Sequence, residues 1–497
     1  MKYYKNITRL TLVSAILFSL SISCSEDYFD TDMGGRINPS DHYNTFEDAI
    51  ASYEGCFAYL QDIADKMILV DGLRSDLTTV TSNAPREMID INIHEYATSN
   101  SYIDPSPFYK MIVNINEVIP NLPQIVEKDR DFDSTMLELL TGNLVSLRSW
   151  AYFTLAKLNG EVALVDGSLS SVDPGKPLTY LTKLELVDYL INELLPYVDE
   201  DDVYRYVVDH YVLLGELYLE KRNYAEASKW LKFACDGVAR GYDYMVTDDY
   251  EEEGWWNLFL NSAYAEADIF TAVPYSFEHG QKNMLEQWMN RNYEVKPTNK
   301  LANLYASQKN GDGGLGDLYR GAGVTYDSIF LPPDNSYGGL LIRKYNLELS
   351  LPFSSDIILY RSADITLLLA EAQNCMGNYS NALALLNDGF GNLSTAARPE
   401  DFKRWRNNEG VRGRVVLKPR IGADELTIEN LIMEERAMEL AFEGKRWFDL
   451  VRVAERRNDP AYLANAIASK FEGAEAENMR SKLMNPTNWY LPLSRVE

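Results

Sequence analysis

Three glutamates separated by four residues each are the strongest candidates for catalysis in this sequence. On a helix, Glu435, Glu439 and Glu443 would lie along one stripe, about 6 Å apart. Glycoside hydrolysis uses two carboxyl groups roughly 5 to 9 Å apart, so the spacing is compatible with a hydrolase. Arginine and lysine residues interleave with the glutamates, and the apolar residues around them indicate burial. We therefore expect ion pairs between helices here, and no catalytic residue.

The signals for metal and cofactor binding are weaker. Residues 311–316 fit the GxGxxG pattern, which binds a dinucleotide only when it follows a strand and opens a helix. The preceding residues predict a helix and the following ones a loop, so we expect a surface turn. Asn310, Asp312 and Asp317 carry oxygen atoms suited to Ca²⁺, but the EF-hand spacing is missing. The sequence therefore predicts neither a metal site nor a cofactor.

Aromatic residues outside the helical patterns provide the main candidate binding site. A sugar presents one apolar C–H face and a rim of hydroxyl groups, so proteins recognise it with flat rings flanked by bidentate polar side chains. Residues 83–108 and 275–293 have loop character and contain this mixture of side chains, which makes them a candidate glycan-binding site. For each single residue, packing or a plain surface role is the alternative. The predicted contact residues are Asn83, Arg86, Tyr96, Tyr102, Tyr275, Trp288, Asn290 and Arg291.

Helical hairpins are expected to position these loops. Thr45 and Asp48 fit a capping box, and apolar residues follow them at helical spacing. The large-small-large pattern of the tetratricopeptide (TPR) unit appears in residues 211–234, where Gly215 permits close helix packing, and again in residues 366–386. The predicted fold is mostly α, a TPR-like helical-hairpin scaffold with an irregular, loop-rich capping subdomain that contains short strands. Helices are predicted at about 45–66, 109–160, 182–238, 356–388 and 428–455, and the cap at about 239–350 and 390–425.

The charge of the chain argues against one class of ligand. Its 497 residues include 47 Lys and Arg against 74 Asp and Glu, which gives a formal net charge of −27. Such an acidic excess repels phosphate backbones. Nucleic acid is therefore not an expected partner.

The first residues predict export and lipid anchoring. Lys2, Lys5 and Arg9 precede an apolar run at residues 10–20 that is too short to span a bilayer. The run ends in Leu-Ser-Ile-Ser-Cys, with the small Ser23 immediately before Cys24, which resembles the lipidated cysteine of a bacterial lipoprotein; a plain signal peptide is the alternative. The expected division is a signal peptide at 1–23, a lipid-anchored tether at 24–44 and one domain at 45–497.

Three segments are typical of one protein family. Residues 147–153 read LRSWAYF, residues 361–365 read RSADI, and residues 435–450 read ERAMELAFEGKRWFDL. These segments resemble the SusD/RagB family of outer-membrane nutrient-uptake lipoproteins. The resemblance extends over residues 24–493, and the third segment is the most specific.

The resemblance implies a function as well as a fold. It implies a lipoprotein, anchored in the outer membrane and exposed at the cell surface, that binds an oligosaccharide or polysaccharide and delivers it to a SusC-like TonB-dependent transporter. A RagB-like protein of the same architecture that captures peptides is the alternative. A glycoside hydrolase would require convergent carboxylates with perturbed pKa values. A structural TPR adaptor would require an open apolar or charged concave groove.

Overall fold

The computed structural model shows a mostly helical protein with short antiparallel strands, which confirms the predicted fold class. The predicted signal peptide, Cys24 and most of the predicted tether lie outside the described residues. Within the described part of the chain, no helix is long and apolar enough to cross a membrane. The structure describes residues 42–165, 167, 177–198, 206–235, 258–259, 268–276, 278–331, 336–345, 355–391, 393–403, 405 and 410–493.

Five helices form the N-terminal part of the described chain. They are α1 (Phe46–Arg74), α2 (Arg86–Asn92), α3 (Ser106–Asn121), α4 (Pro123–Val126) and α5 (Ser134–Asn159). Thr45 and Asp48 form the predicted capping box at the start of α1. Helix α1 packs on α3, and α3 packs on α5. Helix α1 extends to Arg74, beyond the predicted end near residue 66, because its last two turns are buried and stabilised by packing.

Among the described residues, the middle of the chain supplies six helices, four of which form two hairpins. The helices are α6 (Lys183–Leu194), α7 (His210–Glu220), α8 (Tyr224–Cys235), α9 (Asn299–Ala306), α10 (Ser362–Cys375) and α11 (Tyr379–Leu386). Helices α7 and α8 form one hairpin, α10 and α11 form the other, and α10 packs on α8. A Cβ atom at Gly215 would lie 2.5 Å from the side chain of Leu231, so glycine permits the close approach of α7 and α8.

Four further helices complete the scaffold. They are α12 (Glu425–Glu439), α13 (Arg446–Arg457), α14 (Pro460–Ala468) and α15 (Gly473–Leu483). Helix α10 packs on α12, and α14 packs on α15. The last two helices lie beyond the final predicted helix. One contiguous hydrophobic core joins the two halves of the scaffold and includes Leu60, Leu214 and Leu369.

The strands pair in four antiparallel ladders among the described residues. The pairs are β1 (Thr78–Val80) with β5 (Val295–Pro297), β2 (Glu161–Leu164) with β3 (Thr179–Thr182), β4 (Ile269–Val273) with β8 (Ile357–Arg361), and β6 (Tyr326–Leu331) with β7 (Ser336–Ile342). Strand β8 occupies the start of a segment that the sequence predicts as helix, because its Ile-Ile-Leu-Tyr run is fully buried and pairs with β4. In the first pair, Val80 lies opposite Val295. Residues that follow β1 therefore lie beside residues that precede β5.

Candidate functional site

Hydrogen bonds join the two loops that are predicted to bind a glycan. The side-chain amide of Asn83 donates to the carbonyl oxygen of Asn292 at 2.9 Å. The backbone N–H of Thr81 donates to the carbonyl oxygen of Glu294 at 2.8 Å, and its hydroxyl donates to the carbonyl oxygen of Tyr293. These bonds extend the β1–β5 ladder. The structure thus brings the two loops to one surface.

One aromatic pair crosses between the loops. Tyr102 and Trp288 meet edge to face, with ring centroids 5.6 Å apart and an angle of 78° between the ring planes. Trp288 belongs to a π-helical turn, Gln287–Arg291, a conformation that is frequent at functional sites. Burial, followed by the negative charge of Glu294, raises the pKa of the Tyr102 phenol. The phenol therefore stays protonated and is able to donate a hydrogen bond.

Two of the predicted contact rings are buried. Tyr275 is 5% exposed and Trp288 6% exposed. The hydroxyl of Tyr275 donates to the carbonyl oxygen of Gln61 in α1 at 3.1 Å, and Trp288 packs against Tyr102. This burial corrects the expectation that either ring offers an open face to a sugar, because packing against α1 and the first loop covers them. Tyr102, which is half-buried, is the ring of this group with an accessible part.

Tyr96 belongs to a different cluster. Its hydroxyl lies 2.7 Å from Nδ1 of His94 and accepts a hydrogen bond from Nε of Arg74 at 3.1 Å. The guanidinium of Arg74 also lies over the ring of Trp447, 4.3 Å from its centroid. These partners hold Tyr96 at the C-terminus of α1, so the structure does not place it with Tyr102 and Trp288.

The predicted arginines lie at the exposed rim. The side chain of Arg86 is 74% exposed and pairs with Asp90 at 2.7 Å. The side chain of Arg291 is 44% exposed and pairs with Glu286 at 3.0 Å. The exposed pair of Arg86 with Asp90 is weak, so the Arg86 guanidinium is accessible to a ligand. The side chain of Glu286 is only 6% exposed, so Arg291 reaches the surface while it keeps a buried carboxylate partner.

Asn290 and Glu294 carry buried polar atoms that lack partners among the described residues. Both the nitrogen and the oxygen of the Asn290 amide are buried without a hydrogen-bond partner, as is one carboxylate oxygen of Glu294. The other Glu294 oxygen accepts a hydrogen bond from Asn292 at 3.0 Å. Burial raises the pKa of Glu294. A hydroxyl group can both donate and accept, so a hydroxyl-bearing ligand would satisfy these atoms.

Sequence analysis missed Glu294 because it lies one residue beyond the second predicted loop and is followed by β5. The neighbouring Tyr293 has a left-handed backbone, with φ of 49°. This conformation is unusual for an aromatic residue. The cluster of polar residues immediately before β5 could have indicated Glu294 as a binding residue. The sequence does not reveal which polar atoms of this cluster lack a hydrogen-bond partner.

The three glutamates are buried and paired with basic side chains. Glu435 and Glu439 lie on α12, whereas Glu443 lies in the turn after the helix, so the three do not share one helical stripe. Arg320 lies 2.6 Å from both Glu435 and Glu439. Arg361 lies 2.5 Å from Glu439 and 2.8 Å from Glu443. The expected ion pairs are therefore confirmed, but their basic partners here lie in a turn and at the end of strand β8, and not on other helices.

The electrostatics of this cluster oppose acid catalysis. Burial disfavours the charged form of Glu435, but Arg320 and Arg412 outweigh burial and lower its pKa to about 2. Basic neighbours likewise lower the pKa of Glu439 and of Glu443. A glycosidase needs one carboxyl group with a raised pKa as the proton donor. These carboxylates are held in the ionised form instead.

The glycine-rich segment forms a turn at the surface. Lys309 bridges to Leu315, and Asn310 bridges to Leu417. Asp317, one of the oxygen-bearing residues nearby, pairs with Arg320 at 2.6 Å. Within the described ranges, no cluster of three or more His, Cys, Asp or Glu residues is arranged to hold a metal ion.

Comparison with known families and curated proteins gives one consistent result. The model of the SusD family matches residues 237–497, more than half of the chain. SusD-like protein P38 from Formosa agariphila is 25% identical over 504 aligned residues, which cover 91% of this chain and 92% of that protein. The similarity to this relative therefore extends well beyond the segment that the family model matches.

Solved structures share the fold at lower sequence identity. A SusD superfamily protein from Bacteroides vulgatus superimposes with a TM-score of 0.68 at 17% identity and covers 90% of this chain and 95% of its own. A laminarin-binding SusD-like protein superimposes with a TM-score of 0.64 at 17% identity and covers 90% and 96%. At these identities the comparison establishes the fold.

Proposed function

The chain belongs to the SusD family, and from this premise we propose that it is a glycan-binding lipoprotein of the cell surface. It captures an oligosaccharide or polysaccharide and delivers it to a SusC-like TonB-dependent transporter in the outer membrane. A lipid on Cys24 anchors it to that membrane. The similarity to a laminarin-binding structure supports a carbohydrate ligand, and the signal-like N-terminus supports the location.

The observation that carries this proposal is the meeting of the two loops. The half-buried ring of Tyr102 contacts Trp288, which belongs to the same turn as Asn290, and Glu294 follows that turn in the chain. A ring next to unpaired amide and carboxylate atoms matches the apolar face and hydroxyl rim of a sugar. The exposed residues Asn83, Arg86 and Arg291 lie on the same two loops.

Binding at such a site is weak for each sugar unit. A partly exposed ring contributes about 1 kcal/mol, and the hydroxyl contacts exchange with water. Weak individual contacts favour release of the ligand to a transporter. We expect no cleavage of the ligand, because the clustered glutamates are buried and paired with arginine.

Affinity electrophoresis with a panel of soluble polysaccharides, including laminarin, tests the carbohydrate ligand. We expect at least one polysaccharide to slow the migration of the protein, without release of reducing ends. If no polysaccharide slows the migration of the protein and the protein binds members of a peptide library, its ligand is a peptide and not a glycan. Release of reducing ends by the purified protein would show that it is an enzyme.

Co-purification tests the transporter. A tagged chain extracted from outer membranes in mild detergent should carry a TonB-dependent barrel with it. A Cys24→Ser variant should lose the membrane association. If the tagged wild-type chain is purified without any barrel protein, the proposed delivery to a transporter is wrong. The proposed glycan binding is tested separately by the electrophoresis.

A further inference from the structure

The two glycan loops carry more acidic than basic residues. Residues 83–108 and 275–294, which include Glu294 at the end of the second loop, contain seven acidic residues and three basic ones. Their formal charge of −4 is part of the net charge of −27 on the whole chain. An excess of one charge around a binding surface lowers the local concentration of ligands with the same charge. The loops therefore disfavour polyanionic ligands.

The two arginines that could offset this excess already have carboxylate partners. Nε of Arg86 lies 2.7 Å from Asp90. Nε of Arg291 lies 3.0 Å from Glu286. Neither pair carries a net charge. A sulfate or carboxylate group of a ligand would have to compete with these carboxylates, whereas a hydroxyl group can accept a hydrogen bond from a guanidinium without bringing a like charge beside them.

Two carboxylates of the first loop make no tight ion pair with the described residues. Glu87 accepts hydrogen bonds from the backbone N–H and the hydroxyl of Ser101, at 3.0 Å and 3.2 Å. The side chain of Glu95 is 61% exposed and lies 3.8 Å from Nζ of Lys482. Exposed pairs at such a distance are weak, so these carboxylates maintain the negative charge of the first loop.

Glu294 places a further negative charge where the two loops meet. Its carbonyl oxygen accepts the hydrogen bond from Thr81 that extends the β1–β5 ladder. One carboxylate oxygen accepts a hydrogen bond from Asn292 at 3.0 Å, and the other is buried without a hydrogen-bond partner among the described residues. In the described ranges no basic side chain pairs with this carboxylate, so its charge is not compensated.

The unpaired oxygens at this position require hydrogen-bond donors from a ligand. A carboxylate oxygen and an amide oxygen can only accept hydrogen bonds, and Glu294 and Asn290 each have one such oxygen without a partner in the described part of the chain. A sugar hydroxyl donates a hydrogen bond, whereas an ionised carboxylate or sulfate group has no proton to donate. An anionic group here would leave both oxygens unsatisfied and would face the charge of Glu294.

We propose that the two loops bind an uncharged polysaccharide and exclude glycans that carry carboxylate or sulfate groups, with Glu294 as the residue that enforces this choice. The inference rests on the proposed function and names the chemical class of its ligand. Hydroxyl groups satisfy Asn290 and Glu294, and the acidic excess of the loops rejects a polyanion. Specificity then comes from attraction of one class and repulsion of the other.

Affinity electrophoresis of the full-length chain in detergent tests the class of ligand. Laminarin, pullulan and galactomannan represent neutral polysaccharides, and alginate, polygalacturonate and carrageenan represent anionic ones. We expect a neutral polysaccharide to slow the protein more than any anionic one does. If an anionic polysaccharide slows it as much or more, the inference is wrong while the proposed glycan binding stands. If no polysaccharide of either class slows it, the proposed function fails, and this inference fails with it.

A sulfated derivative of the neutral polysaccharide that binds provides a matched comparison. The derivative has the same backbone and linkages as the parent and differs in its charge and its free hydroxyl groups. We expect the sulfated polymer to bind about tenfold more weakly at low ionic strength, and the difference to narrow when salt screens the charges. Equal affinity for the two polymers at low ionic strength would overturn the inference.

A Glu294→Gln variant tests the residue assigned to this selection. Glutamine has the same size and keeps an acceptor oxygen but carries no charge, so the ratio of the affinities for the neutral and the sulfated polymer should fall about fivefold. Glu138 is an exposed glutamate on α5, outside the two loops. Glu138→Gln removes the same charge and should keep the wild-type ratio. An unchanged ratio in the Glu294→Gln variant would show that Glu294 does not select the ligand.

Discussion

Asn290 has a buried amide that uses neither its donor nor its acceptor within the described residues. Such an arrangement costs about 1–3 kcal/mol in the free protein. In the proposed site, a bound hydroxyl group would remove that cost. A ligand without a hydroxyl group at this position would leave the amide unsatisfied and would bind more weakly. Glu294 contributes an unpaired oxygen on the same segment. In the proposed site, these two polar groups therefore contribute more to specificity than ring stacking does.

An Asn290→Leu variant is expected to separate stability from binding. Leucine has a similar size and no polar atom to leave unpaired, so the free energy of unfolding should stay the same or rise by about 1 kcal/mol. Affinity for the polysaccharide identified by electrophoresis should fall about tenfold. Thermal unfolding and affinity electrophoresis measure the two effects, with the exposed Asn478→Leu as the control. Wild-type affinity in the Asn290→Leu variant would exclude the amide from the site.

A Tyr102→Ala variant tests the half-buried ring of Tyr102, which contacts Trp288 across the two loops. Loss of a stacking contact worth about 1 kcal/mol should weaken glycan binding about fivefold. Tyr462 is a half-buried tyrosine on α14, outside the two loops, so Tyr462→Ala is the matched control and should retain wild-type retardation in the gel. Equal retardation of all three proteins would remove the ring from the proposed site.

At the scale of elements, the TPR hairpins could be predicted from the sequence, whereas the burial of the loop residues could not. The spacing of small and large residues predicts the α7–α8 hairpin because two close-packed helices need Gly215 opposite Leu231. The capping box at Thr45 is equally local. The burial of Trp288 and Tyr275 depends on residues of α1 and the first loop, which are distant in sequence. Composition can therefore identify rings in loops without showing which of them face solvent.

A Gly215→Ala variant is expected to destabilise the protein. Alanine has the higher helix propensity, but its Cβ atom would lie 2.5 Å from Leu231, and overpacking of this kind costs about 1–3 kcal/mol. A Cβ atom at Gly55, in α1, would meet no neighbouring atom within 4 Å, so Gly55→Ala should stabilise the protein by up to about 1 kcal/mol. Chemical denaturation of both variants measures the difference. A Gly215→Ala protein as stable as the wild type would contradict the close helix contact.

At the scale of the whole molecule, buried charges join the cap to the scaffold. Arg320 and Arg412 come from segments within the predicted cap, and both contact Glu435 of α12. Arg414 from the same region contacts Glu439. A buried charge whose partner is lost costs about 3–5 kcal/mol. The described parts of the cap are therefore fixed to the helices and do not pack as an independent unit.

The depressed pKa of Glu435 predicts a dependence of stability on acid. Its value is about 2 in the folded protein against 4.5 as the ordinary value. The stabilisation is therefore complete at neutral pH and is lost as pH falls from about 4.5 towards 2. In a Glu435→Gln variant, the melting temperature should be lower at pH 7 and should fall less steeply over this acid range.

The neighbouring glutamate provides the control for this experiment. Glu434 is half exposed and pairs with Arg420, so Glu434→Gln should change stability by less than about 1 kcal/mol. Thermal unfolding monitored across the pH range compares the three proteins. A Glu435→Gln profile that coincides with that of the wild type would show that this carboxylate does not contribute to acid sensitivity.

The bond from Asn83 to Asn292 connects positions 209 residues apart in the chain, and it has a consequence for biogenesis. Neither loop acquires its neighbour until the polypeptide has been synthesised past β5 and the intervening helices have docked. Under the proposed function, an incompletely synthesised or misfolded copy therefore lacks the glycan site. Retention on an immobilised carbohydrate would then select correctly matured molecules from a crude preparation.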